Sequence, residues 1–192
     1  MIAPSRLPGV QFGAIQRHAD PRGSFRELWR ADAFADLDPV SAGRGRGDPV
    51  RFVQANLSTS AAGVLRGLYL HRRQMDHWVI LSGRAFVALV DVRPMLGSPD
   101  GSAVVETRTL GPDENVTIPA GVAHGFLALE PLELVYFVTN SYDGSDELGF
   151  AWDDPMVAVP WPGIGTPDGR PIVSARDATN PSLEKLVVSL RR

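Results

Sequence analysis

Residues 63–93, GVLRGLYLHRRQMDHWVILSGRAFVALVDVR, decide how this chain folds. Leu65 to Leu70 and His77 to Leu81 are rich in large apolar residues and flank a polar, positively charged link, Arg72-Arg73-Gln74. Ser82-Gly83 then turns the chain into a third apolar run, Ala85 to Val92. Short apolar runs bounded by turn residues read as strands, so the stretch is expected to form a central hairpin. Side chains on a strand alternate between faces. Tyr69 and His71 should therefore share one face while Leu68 and Leu70 take the other.

Outward from this centre, the same pattern repeats. On the N-terminal side, strands are expected at Val10 to Ile15, Phe25 to Trp29 and Arg51 to Ser58. The polar turn Asp20-Pro21-Arg22-Gly23 lies among them, with a turn or two of helix at Ala31 to Leu37 and a loop from Asp38 to Asp48. In RFVQANLS, Phe52, Gln54 and Asn56 share a face, which fits a pocket wall or a solvent-facing strand equally well. On the C-terminal side, Asp91 to Gly101 reads as a loop and Ala103 to Leu110 as a strand. Asn115 to Ile118 leads to the turn at Pro119 and Gly121. Gly125 to Leu129 is then expected to pair with Leu132 to Thr139 as an antiparallel hairpin. After Pro181, the spacing of Leu183, Leu186, Val187 and Leu190 predicts an amphipathic helix.

The 192 residues are enough for one domain with a real core, and the 16 prolines and 19 glycines punctuate many short runs. We expect a single all-β domain over 1–192, with its β portion at about 10–162 and a helical tail at about 181–192. A net charge of −3 offers no basic field for nucleic acid. With no cysteine there is no disulfide, thiolate metal site or thiol nucleophile. No signal-like or membrane-spanning apolar run is present, so the expected place is the cytoplasm, with no membrane partner.

No nucleophile elbow, phosphate-binding glycine loop or dinucleotide fingerprint occurs. What remains is a set of polar and aromatic residues embedded in strands, with four histidines, His18, His71, His77 and His124. Three of the four fall in the two densest motif stretches. The tryptophans, Trp29, Trp78, Trp152 and Trp161, are expected to pack in the core or an interface.

The spacing Gly63, Tyr69, His71, Asp76, Gly83, followed by Pro119, Gly121 and His124, resembles the two motifs of the cupin superfamily, whose fold is a jelly roll or double-stranded β-helix. From Asp20 to Pro162 the chain resembles, more specifically, the dTDP-4-dehydrorhamnose 3,5-epimerase family. The shared segments are Asp20 to Glu27 (DPRGSFRE), Gln54 to Ser58 (QANLS), Arg66-Gly67-Leu68, Asp91-Val92-Arg93 with Ser98-Pro99, and Ile118 to Phe126 (IPAGVAHGF). Tyr136, and Trp152-Asp153-Asp154-Pro155 with Trp161-Pro162, complete the set.

That resemblance implies a dTDP-linked 4-keto-6-deoxy sugar as substrate. A carbonyl acidifies its neighbouring C–H bonds, so a base can remove a proton and an acid return one, with no cofactor. Residue by residue, it implies Arg22, Arg66, Gln54 and Asn56 on the nucleotide diphosphate and Phe25 and Glu27 around the base. His124 would lie near the sugar and Tyr136 would be the acid. It also implies a homodimer whose N-terminal strands cross to the partner, so that Arg22, Phe25 and Glu27 complete the neighbour's site.

Two positions depart from the pattern. Tyr69 stands where the family has its basic histidine, and His77 is matched to the family's substrate lysine. Asp154 is matched to the carboxylate partner of the base. His71, expected on the face of Tyr69, can take over proton removal because imidazole titrates near neutrality. The expected acid/base set is therefore His71, Tyr69, Tyr136 and Asp154, with no metal. Two other readings stay open at this point. One is a metal-dependent enzyme with His71, Asp76 and His124 as ligands. The other is a nucleotide-sugar-binding module that has lost turnover.

Overall fold

The computed structural model describes residues 2–35, 37–38, 50–163 and 169–191. Among these are twelve strands: β1 (Gln11–Ala14), β2 (His18–Asp20), β3 (Gly23–Phe25), β4 (Gln54–Ser60), β5 (Leu65–Leu70), β6 (Asp76–Ser82), β7 (Ala85–Asp91), β8 (Val104–Leu110), β9 (Glu114–Ile118), β10 (Val122–Ala128), β11 (Leu132–Val138) and β12 (Leu148–Gly149). Two helices, α1 (Arg93–Gly97) and α2 (Leu183–Leu190), accompany them. One five-stranded sheet runs β1-β9-β6-β11-β4 and a second runs β12-β5-β10-β7-β8, while β2 and β3 form a separate hairpin. All named strand pairs are antiparallel. The architecture is the all-β jelly roll expected.

The strands appear where the apolar runs place them, but the expected hairpins do not form. Gly125 to Leu129 does not pair with Leu132 to Thr139: β10 lies between β5 and β7, and β11 lies between β4 and β6. The central hairpin does not form either: β6 belongs to the first sheet and β5 and β7 to the second, so neither the 72–74 link nor Ser82-Gly83 closes one. The tight turns at Gly83 and Pro131 both step the chain from one sheet to the other, and they pack together. A Cβ on Gly83, whose φ is +78°, would lie 2.1 Å from the Pro131 carbonyl oxygen. Apolar runs identify strands, but a short turn is compatible with either a hairpin or a change of sheet.

Smaller differences are local. The strand expected from Phe25 to Trp29 ends at Phe25, and the turn before it is the tip of the β2–β3 hairpin. A 3-10 turn spans Ala31–Phe34. The loop expected over 38–48 lies, past Asp38, outside the described residues. Within the 91–101 segment, Pro94 sits in the first turn of the short helix α1, where its missing N–H costs nothing.

The core has two parts. Between the sheets, Ile80, Val87, Leu89, Val122, Leu132 and Leu134 pack with Trp78 and Phe126. On the outer face of the second sheet, Leu68, Leu70 and Phe150 meet Leu183, Leu186 and Val187 of α2. The helix expected in the tail is therefore present, capped by Ser182 Oγ on the Lys185 N–H, and it covers its own barrel. No helix among the described residues is long and apolar enough to cross a membrane.

Candidate active site

A cavity of about 520 Å³ opens between the sheets. One wall follows simple alternation. β4 presents Gln54, Asn56 and Ser58, and β11 presents Leu134, Tyr136 and Val138. Tyr136 lies opposite Asn56 on one side and Trp78 on the other. On β6 the same period of two brings Asp76 and Trp78 to the cavity.

The opposite wall breaks that period. Arg66 and Tyr69 both line the cavity although they are three residues apart, which a regular strand would forbid. The pairing of β5 with β10 shifts register between His124 and Phe126, so β5 carries an extra residue there. Gly67 makes this possible. Its φ is +122°, and a Cβ would lie 2.7 Å from Gly125 Cα and 2.8 Å from the His124 oxygen. Past the bulge, Leu68 and Leu70 pack under α2 while Tyr69 and His71 face the cavity, as their alternation predicts.

His71 is 6% exposed and its Nδ1 lies 2.7 Å from the Asp146 carbonyl oxygen. A carbonyl only accepts, so Nδ1 carries the hydrogen and a neutral ring keeps its lone pair on Nε2. The Asp146 carboxylate, in turn, accepts from the Arg72 and Arg73 backbone N–H groups, which ties the loop to the end of β5. His124 is held similarly, Nδ1 donating to the Val122 carbonyl at 3.0 Å. Its Nε2 lies 3.6 Å from Asp76 Oδ2. Burial outweighs that carboxylate and lowers the pKa of His124, so this is a neutral imidazole beside a carboxylate. Asp76 also accepts from Gln74 Nε2 at 2.8 Å and Trp78 Nε1 at 3.2 Å.

The Tyr69 hydroxyl donates to Asp177 Oδ2 at 3.1 Å, and Arg176 lies over its ring. Burial, followed by the Asp177 charge, pushes the Tyr69 phenol far up. Burial and the nearby Asp76 and Glu147 charges likewise raise Tyr136, so both phenols keep their protons near neutral pH. Gln54 donates to Asn56 at 2.9 Å and accepts from the Tyr142 N–H, so the two amides are oriented together. Arg66 reaches Ser60 Oγ and the Thr59 carbonyl at the cavity rim.

Of the residues expected in the site, the cavity gathers Gln54, Asn56, Arg66, Tyr69, His71, His124 and Tyr136. It does not gather His77. That ring points away from the cavity, packs against Phe34, Phe52 and Phe137, and meets Thr117 Oγ1 at 2.9 Å. Burial there lowers its pKa to about 4. Alternation gives the cavity face to its neighbour Asp76.

Asp154 is also elsewhere. Its two oxygens accept the backbone N–H groups of Met156 and Leu183, so it caps the start of α2. The carboxylate against Tyr69 is Asp177, buried on a 3-10 turn at Asp177–Thr179. Arg22, Phe25 and Glu27 are exposed and do not line this cavity; the first two stand on the β2–β3 hairpin. Sequence reading missed Asp177, Arg176 and Glu147. The adjacent charges of Arg176-Asp177, set between a Pro/Gly-rich stretch and the last helix, were the available signal. Trp78 serves both the core and the cavity, whereas Trp29 stacks on Phe137 and Trp161 packs at a tilt against Phe86.

The family model described as dTDP-4-dehydrorhamnose 3,5-epimerase matches residues 4–185. The chain is 32% identical over 181 residues to the dTDP-4-dehydrorhamnose 3-epimerase of Streptomyces niveus, covering 92% of this chain and 80% of that one. Among solved structures, the rmlC epimerase of Mycobacterium tuberculosis matches with a TM-score of 0.81 and 32% identity, over 98% of this chain and 92% of that one. The 3,5-epimerase of Legionella pneumophila, in complex with dTDP-4-keto-L-rhamnose, matches with a TM-score of 0.79 and 30% identity, over 97% and 94%.

Proposed function

The chain belongs to the dTDP-4-dehydrorhamnose 3,5-epimerase family, and from that premise we propose how its own cavity does the chemistry. The protein is an isomerase of this type. It acts on a dTDP-4-keto-6-deoxy sugar by removing a proton beside the ketone and returning one.

His71 is the base. The observation that carries this is the 2.7 Å bond from its Nδ1 to the Asp146 carbonyl, which leaves Nε2 as the proton acceptor. Tyr136 is the acid. It stands on the opposite sheet, across the cavity, and burial keeps its phenol protonated and ready to donate. The carbon between them loses its proton to one face and regains it from the other, which inverts it. Tyr69 does not take the proton, because its hydroxyl already donates to Asp177. It positions that carboxylate and forms part of the wall.

Arg66 suits a diphosphate because a guanidinium fork pairs with two oxygens. Gln54 and Asn56, already oriented by each other, hold the nucleotide end, and His124 borders the sugar. Arg22, Phe25 and Glu27 complete the site of a second copy in a homodimer. Supporting this, the β2–β3 hairpin belongs to neither sheet and Phe25 is 70% exposed. The place of action is the cytoplasm, since a charged nucleoside diphosphate does not cross a bilayer unaided.

The test is proton NMR of dTDP-4-keto-6-deoxyglucose with the protein in D2O. Enzyme-dependent loss of the C3 or C5 proton signal is expected. Persistence of both signals, with the nucleotide resonances broadened by binding, would overturn proton removal and leave a binding module.

A further inference from the structure

The base assigned above stands just past the end of its strand. β5 stops at Leu70, so the ladders with β10 and β12 do not themselves fix the His71 ring. What meets the ring comes from the segment before β12. The antiparallel register of β12 on β5 sets Leu148 opposite Leu70 and Gly149 opposite Tyr69, and carried two residues on it brings Asp146 opposite Arg72. There Asp146 bonds to three consecutive residues. Its carbonyl accepts from His71 Nδ1 at 2.7 Å, its Oδ1 from the Arg72 N–H at 3.0 Å and its Oδ2 from the Arg73 N–H at 2.8 Å. Asp146 is 8% exposed, and each carboxylate oxygen takes an amide that a strand end would leave unpaired. Both flanks of the segment are tied down as well. The Tyr142 N–H donates to Gln54 Oε1, the Arg73 side chain to Ser145 Oγ and Arg176 to the Glu147 carboxylate.

An imidazole left to itself exchanges between two tautomers, and only the one with its hydrogen on Nδ1 leaves Nε2 free to take a proton. We infer that Asp146 is a positioning residue: its carboxylate clasps the backbone of Arg72 and Arg73 so that its carbonyl holds His71 in that single tautomer and one ring orientation. The Asp146 side chain does not line the large cavity, so it acts through His71. Outer contacts of this kind set which ring nitrogen is free and where it points. The consequence for the reaction rests on His71 being the base, because a misplacement of about 1 Å at the reacting atom costs on the order of 10²-fold in rate.

Imidazole ¹⁵N signals of the labelled full-length protein, at about pH 8 where free imidazole is neutral, read the tautomer without reference to turnover. His71, identified by the signals lost in His71→Ala, is expected to show a protonated Nδ1 and a bare Nε2. Asp146→Ala should mix the two tautomers and lower kcat on the keto-sugar about 10–100-fold, with KM within about twofold of the parent. Asp146→Asn keeps one accepting oxygen but sets an amide NH₂ against the second N–H, so it should lie between Asp146→Ala and the parent. Circular dichroism verifies the fold of each variant. Ser145→Ala, which removes a contact with the Arg73 side chain but none with the backbone of Arg72 or Arg73, should leave the His71 signals unchanged. A parent His71 with its hydrogen on Nε2 would overturn the role of Asp146. So would an unmixed Nδ1–H tautomer in folded Asp146→Ala, or in Asp146→Asn where the alanine variant does not fold. Mixed tautomers with unchanged kcat would leave Asp146 positioning the ring and remove His71 as the base.

Discussion

The two walls of the cavity are built differently. The wall of β4 and β11 follows the period of a regular strand, so every second residue from Gln54 to Ser58 and from Leu134 to Val138 faces inward. The wall of β5 depends on a bulge at Gly67, which puts Arg66 and Tyr69 on the same side. The regular wall carries the amides and the Tyr136 phenol, proposed above as the acid. The bulged wall and its extension carry Tyr69 and His71, the latter proposed above as the base. A regular strand presents a fixed set of side chains, while a bulge lets the set be re-aimed by a residue without disturbing the core beneath it.

The largest effect that separates the walls should come from Gly67→Ala. The new methyl meets Gly125 Cα and the His124 oxygen on the neighbouring strand, at a φ that L residues avoid. A loss of roughly 3 kcal/mol is expected in chemical denaturation, whereas Ser58→Ala on the regular wall should cost well under that.

Next in size is a pH effect from the back of the β6 wall. His77 is neutral in the fold with a pKa of about 4, against 6.5 for the free side chain. As pH falls below about 6.5 the unfolded chain takes up the proton first, so stability is full above that pH and is lost progressively towards pH 4. The contribution is at most about 3 kcal/mol. Thermal melts between pH 7.5 and 4.5 should fall, and His77→Leu should flatten the curve. An unchanged slope in that variant would show that His77 is not the buried neutral group responsible.

The fold was legible where the physics is local. Apolar runs located the strands, and the spacing of Leu183, Leu186 and Val187 gave a helix that does bury those residues. Sheet membership was not legible, because the turns at Gly83 and Pro131 look alike whether a strand pairs with its neighbour or crosses to the other sheet. In the site, alternation placed His71 beside Tyr69 correctly. It would also have placed Asp76 rather than His77 in the cavity had the strand been started one residue earlier. Asp177 reaches Tyr69 from 108 residues away, a contact no local pattern encodes.

The smallest effect distinguishes the two carboxylates that sequence and structure assign differently. Asp154→Asn should lower stability by about 1–2 kcal/mol through its two backbone bonds, and leave KM for the keto-sugar unchanged. A raised KM with unchanged stability would return Asp154 to the site.

The most direct test of the account is the rate of C3 and C5 proton loss in D2O for His71→Ala and Tyr69→Phe, measured side by side. With His71 as the base, the rate should fall about 10²–10⁴-fold in His71→Ala and stay within about tenfold of the parent in Tyr69→Phe. Proton loss that survives in His71→Ala but vanishes in Tyr69→Phe would contradict it, and would return the base to position 69.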